Sequence, residues 1–107
     1  PSGSDTILPS TLEILDRVAK ALSETNGQLV VSGHTDDVPI STGRYRSNWD
    51  LSSARAASVV HFLLRNKLID PGRISATGYA DSRPLVPNDS AENRSKNRRV
   101  EISIRAR

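Results

Sequence analysis

There is no cysteine in this 107-residue chain, which excludes thiolate metal sites, disulfides and cysteine catalysis. Aromatic residues are scarce. Tyr45, Trp49, Phe62 and Tyr79 are all there are, and none interleaves with the basic run of Arg94, Lys96, Arg98 and Arg99. The stacking platforms that usually accompany nucleic-acid binding are therefore missing. No apolar run approaches the roughly 20 residues that span a bilayer. No Gly-x-Ser-x-Gly elbow accompanies the many serines, so a hydrolase reading has no independent support. His34, Asp36 and Asp37 could approach a metal. However, sites of that kind recruit three or four ligands, and no second histidine stands at a matching spacing, since His61 falls mid-helix far along the chain. The start has no signal-like stretch and opens on Pro1 without a methionine, so we expect an excised or processed fragment.

What is present fits one compact domain with a modest core of Leu, Ile and Val. The net charge is +3, and the basic residues cluster late, from Arg94 to Arg107. That balance favours acidic partners: nucleic acid, anionic lipid or a carboxylate-bearing polymer.

The spacing predicts a helix behind a capping box at Ser10-Thr11-Leu12-Glu13. Leu12, Leu15, Val18, Ala19 and Leu22 form its stripe to about Ser23, and Asn26-Gly27 ends it. Gln28–Ser32 reads as a short buried strand. After a polar connection over 33–48, a second helix starts between Asn48 and Ser52, with Ala56, Val59, Val60, Leu63 and Leu64 on its apolar side. Asp70-Pro71-Gly72 stops the chain, and Arg73–Tyr79 alternates as a strand. Asp89 or Ser90 caps a short third helix to about Asn97. Arg99–Arg105 is the clearest strand: Val100, Ile102 and Ile104 face one way, Arg99, Glu101, Ser103 and Arg105 the other. After the first helix the order is β/α/β/α/β. The fold class is α+β, with helices on one face of a small mixed sheet and the other face wet. Residues 1–8 read as an arm or a truncated first strand, and 9–107 as the domain.

Three spaced segments carry the candidate chemistry: His34-Thr35-Asp36-Asp37, Leu51-Ser52-Ser53-Ala54-Arg55-Ala56 and Asn97-Arg98-Arg99-Val100-Glu101-Ile102. Together they offer a carboxylate, guanidiniums and an amide to one ligand, which suits gripping a small zwitterion. Each has a plainer reading. Asp36 could make only an Asx-turn. Arg55, expected in or near a first helical turn where the dipole disfavours a cation, could reach back to Asp36, Asp37 or Asp50 and tie the loop down. The basic run could be a solvated face. His34 reads as a packed, hydrogen-bonded residue shaping the turn, and His61 as a helix-surface residue.

The ordered set resembles the OmpA-like peptidoglycan-binding domain family. Gly33-His34-Thr35-Asp36, Asn48 with Leu51-Ser52-Ser53-Ala54-Arg55-Ala56, Arg73-Ile74 through Gly78-Tyr79, and Asn88, Arg94 and Asn97-Arg98-Arg99-Val100-Glu101 match its segments in order, from about Leu29 to Ile104. The longer loop after Asp36 and the run Ser47-Asn48-Trp49-Asp50-Leu51-Ser52 look like the flagellar stator branch, MotB and PomB. The Ser2-Gly3-Ser4 arm looks like the stretch that follows the family's first strand. The resemblance implies a non-enzymatic anchor that binds the diaminopimelate of the cell-wall stem peptide. Asp36 would take its ammonium and Arg55 its carboxylate, with Asn48, Arg98 and Thr35 beside them. It implies no cofactor and no metal. It also implies a periplasmic domain of an inner-membrane-anchored protein, a homodimer in the parent protein, and a MotA-type partner. A general OmpA or Pal-type envelope anchor is the alternative within the family.

Overall fold

The computed structural model describes residues 9–105, with side chains from Leu12 onward; the expected arm over 1–8 lies outside them. The first helix, α1 (Pro9–Ser23), begins one residue before the expected cap at Ser10. Its inward side is the expected one. Leu15, Ala19 and Leu22 are buried at helical spacing, with Leu12 and Val18 packed beside them. The helix end is tied down by Arg73, whose guanidinium donates to the Gly27 carbonyl at 3.0 Å, to Thr25 Oγ1 at 3.3 Å and to the Leu22 carbonyl at 3.4 Å. The carbonyls left over at a helix terminus thus gain a cationic donor.

β1 (Gln28–His34) is the central strand of a three-stranded sheet of order β2-β1-β3. It runs two residues further than the apolar run suggests, so Gly33 and His34 belong to the sheet. β2 (Ile74–Gly78) pairs parallel to it, from Leu29↔Ile74 to Gly33↔Gly78. β3 (Arg99–Arg105) pairs antiparallel, from Gln28↔Arg105 to His34↔Arg99. A parallel pair needs a crossover, and α2 (Asn48–Leu64) supplies it. A short 3-10 turn (Pro71–Arg73), capped by Asp70, then occupies the expected stop, so β2 starts at Ile74 rather than Arg73. α3 (Ala91–Asn97) follows, with Ser90 as its cap.

The core lies on one side of the sheet. Leu29 and Val31 of β1 meet Leu15, Ala19 and Leu22 of α1, Ala56 and Leu63 of α2, and Ile69. Burying each of the larger side chains contributes about 1.5–3 kcal/mol. Val100 and Ile102 of β3 pack against the same cluster, while Ile104, at the end of that edge strand, stays half exposed.

The helix α2 comes unusually close to the sheet. Gly33 and Gly78 face each other in register, and α2 rests on both. A Cβ on Gly33 would lie 2.1 Å from the Ser52 carbonyl oxygen, and one on Gly78 would lie 2.5 Å from the Ser53 nitrogen. The absence of both side chains sets the height of α2 above the strand ends.

Candidate functional site

β1 ends at His34, and the chain beyond it is pinned rather than loose. Thr35 N donates to the Ala80 carbonyl at 2.8 Å, and Tyr79 N donates to the Gly33 carbonyl at 3.0 Å. Ala80, with a left-handed φ of 54°, also donates its N–H to Ser52 Oγ at 3.0 Å. A non-glycine residue in that region is held there only when its surroundings fix it, and here both backbone groups of Ala80 are bonded. One buried alanine thus ties the end of β1 to the first turns of α2.

Thr35 and Asp36 are buried at the resulting corner. Asp36 Oδ1 accepts the Val38 N–H at 3.1 Å, so the Asx-turn is real. Asp36 Oδ2 accepts Arg98 Nη1 at 2.7 Å, which brings together two groups from opposite ends of the chain. The carboxylate is almost wholly buried, and Arg98 is about a quarter exposed. The neighbouring Asp37 accepts Arg94 Nε at 2.9 Å, and Arg94 also donates to the Asn88 carbonyl at 2.9 Å. The basic run is therefore not a solvated face. Arg94 and Arg98 turn inward to the two aspartates, Lys96 stands near Glu92, and Arg99 lies on the far face of the sheet.

Other expectations need correction. The cap of α2 is Ser47, whose side chain accepts the Asp50 N–H, and the helix starts at Asn48. Arg55 thus falls beyond the first turn, and the dipole argument against a cation there lapses. Its location still suits the site. Arg55 is partly buried and precedes Ala56, whose nitrogen lies 3.4 Å from where a Gly33 Cβ would stand. Asn48 uses its amide on the loop backbone, donating to the Val38 carbonyl at 3.0 Å and the Asp36 carbonyl at 3.5 Å. It straps the loop to α2 beside the carboxylate.

Asn97 does not offer its amide to the site at all. It is fully buried. Its Oδ1 accepts the N–H groups of Leu85 at 2.8 Å and Val86 at 3.1 Å, and its Nδ2 donates to the Val86 carbonyl and to Asn88 Oδ1, both at 2.8 Å. All four bonds an amide can make are made, and they hold the 85–88 loop against α3. Nothing local in the sequence separates such an asparagine from a ligand-facing one.

Beside Asp36 lies an open hollow of about 270 Å³, lined by Asp37, Pro39, Ile40, Asn48, Trp49 and Asp81 among others. Trp49 is 54% exposed there. Among the described residues no three His, Cys, Asp or Glu side chains are gathered as a metal site would need.

His34 is packed but not hydrogen-bonded as expected. It is 4% exposed and stacks on Tyr79 with ring centroids 5.3 Å apart. Its Nε2 is 3.7 Å from Glu101, and its buried Nδ1 has no hydrogen-bond partner. Burial, and then the charge of Arg99, push its pKa below the ordinary 6.5; Glu101 opposes this and Arg83 adds to it. Above about pH 6.5 the ring is neutral folded or unfolded and costs nothing. As pH falls below that value the unfolded chain takes the proton first, so stability declines until the folded value is passed and then levels off. The melting temperature should therefore drop between about pH 7 and pH 5, and His34→Gln should flatten that slope.

The fold and the corner at Asp36 define a two-layer α+β binding domain, with a buried carboxylate ion-paired to a partly exposed guanidinium at the end of its central strand. The chain belongs to the OmpA family, whose profile matches residues 1–98. It is 45% identical to Motility protein B of Bacillus subtilis over 76 residues, which is 71% of this chain and 29% of that protein. Among solved structures it resembles the C-terminal domain of Helicobacter pylori MotB, with a TM-score of 0.90 and 32% identity over 100% of this chain and 81% of that one. It also resembles the cell wall anchor of the type VI secretion system of Pseudomonas aeruginosa, with a TM-score of 0.89 and 44% identity over 100% of this chain and 74% of that one. The chain spans less than half the length of the curated relatives it matches.

Proposed function

We propose that this domain binds peptidoglycan without cleaving it, and that it anchors a flagellar stator to the cell wall. The observation that carries the reading is the pairing of buried Asp36 with Arg98 at the end of β1, with Arg55 standing in the second turn of α2. Its ligand is the free end of diaminopimelate in the stem peptide. The Asp36 carboxylate, oriented by Val38 N–H and Arg98, receives the ammonium. Arg55 receives the carboxylate through its planar two-pronged donor set. Asn48 and Thr35 act at one remove: Asn48 straps the loop, and Thr35 Oγ1 donates to the Asp36 carbonyl at 2.9 Å. In the whole protein the domain would sit in the periplasm, tethered to the inner membrane, as a homodimer beside a MotA-type subunit.

Retention on purified sacculi tests the assignment. Asp36→Asn and Arg55→Lys should each weaken retention by at least about tenfold, since both keep size while removing a charge or the fork. Muropeptides incubated with the protein should stay intact. Wild-type retention by both variants would refute the site.

A second reading is favoured by the similarity to the secretion-system wall anchor: the same grip would hold a different envelope machine. The ligand chemistry is shared. Restoration of swimming to a strain lacking its stator anchor, by the whole protein, separates the two.

A further inference from the structure

The face of the sheet turned away from α1 and α2 carries a second cluster of charged and aromatic groups that the wall-binding reading does not use. Alternation along β1 and β3 puts Val30, Ser32 and His34 beside Arg99, Glu101, Ser103 and Arg105 on that face. Together with Tyr79 and Arg83 they line a polar cleft of about 190 Å³.

Three features set its chemistry. First, the exposed Arg83 guanidinium lies over the Tyr79 ring, 4.1 Å from its centroid, and Tyr79 in turn stacks on buried His34. Arg83 has no carboxylate at ion-pair distance among the described residues. It is held in place by stacking, which leaves its N–H fork for a ligand. Second, among the described residues Glu101 is the only carboxylate lining the cleft, and Arg99 engages it, so the described side chains there, Arg83 and Arg105 among them, carry a net positive charge. Arg99 itself is fixed by donating to the Arg83 carbonyl at 3.1 Å and the Asn97 carbonyl at 3.4 Å. Third, His34 is 96% buried beside them with an unsatisfied Nδ1. Burial first, and then the charges of Arg99 and Arg83, hold its pKa below the ordinary value against the pull of Glu101.

We propose that this cleft is an anion site for a phosphate group, with Arg83 as the principal donor and Arg99 and the serine hydroxyls as its walls. A planar guanidinium fork matches two phosphate oxygens, and the hydroxyls of Ser32 and Ser103 supply neutral donors. The phosphate could belong to a lipid headgroup or to a soluble phosphate ester; the recognising chemistry is the same. The site is independent of the Asp36 corner.

The test follows the His34 and Tyr79 ring resonances of the protein by NMR in a phosphate-free buffer during titration with inorganic phosphate. Saturable shifts are expected, together with a rise in the pKa of His34, because a bound anion offsets the arginines. Arg83→Gln should weaken binding by about tenfold or more, while Glu101→Gln, which releases Arg99, should tighten it several-fold. Asp36→Asn should leave phosphate binding unchanged, which separates this site from the wall-binding one. In parallel arms, vesicles of phosphatidylcholine with and without phosphatidylglycerol identify the source. Binding that depends on phosphatidylglycerol assigns a lipid headgroup, and phosphate binding without it assigns a soluble ester. Absence of saturable shifts with inorganic phosphate, or unaltered binding in Arg83→Gln, overturns the proposal.

Discussion

Asn97→Ala should be the most damaging single truncation of a polar side chain in this domain. It strips partners from two N–H groups, one carbonyl and the Asn88 amide in a part-buried loop, around a side chain that is itself fully buried. Each such group left buried and unpaired costs about 1–3 kcal/mol, offset where relaxation admits water, so a net loss of about 3 kcal/mol is expected. For a domain of this size that lowers Tm by roughly 10–20 °C. Asn97→Asp keeps the shape and the two acceptor contacts, but turns an anion toward the Val86 carbonyl and Asn88 Oδ1. It should fall close to the alanine variant rather than to wild type. Thermal unfolding of the three proteins checks this, and a loss under about 1 kcal/mol for alanine would mean that the 85–88 loop is held by other contacts.

Gly33→Ala should damage stability and wall binding together. The added carbon would sit 2.1 Å from a backbone oxygen of α2, which cannot rotate away as a side chain could. The helix must retreat by roughly an ångström, at a cost of about 1–3 kcal/mol. The Ser52 Oγ to Ala80 bond and the Asn48 strap both span that gap. Lifting α2 therefore moves Arg55 and Asn48 away from Asp36 at once, and a site displaced by that much loses its grip. Sacculus retention should drop even at temperatures where circular dichroism reports a folded chain. A variant that melts early but retains the wall normally would show that the site tolerates a raised α2.

These two residues also mark where sequence reading stopped. The order of elements, the stripe of α1, the cap of α3 and the two faces of β3 follow from local periodicity, and the structure agrees with them. The start of α2 falls at the early edge of the expected range, but the cap is Ser47 rather than Asn48, Asp50 or Ser52, since all four are competent caps and only the geometry selects among them. β1 extends past the apolar run because Gly33 and His34, poor strand formers by local measure, are taken into the sheet. The ladders on both sides override that, and the glycine is needed for a helix folded back from beyond residue 47. The pairing of Asp36 with Arg98 spans 62 positions and has no local signature. The motif order pointed to that corner through resemblance, whereas the amide of the third segment, that of Asn97, is spent on the 85–88 loop. An amide on a loop backbone and an amide on a ligand look alike in one dimension.

The central placement of β1 has a mechanical side. A pull on anything held at Asp36 enters the sheet along the axis of its middle strand. That strand is in register with β2 over five residue pairs and with β3 over seven. Tension along it loads both ladders in shear, so many bonds must give way together, whereas an edge strand pulled sideways would unzip one bond at a time. Extraction force should therefore depend strongly on pulling direction, and should be greatest along the strand axis of β1.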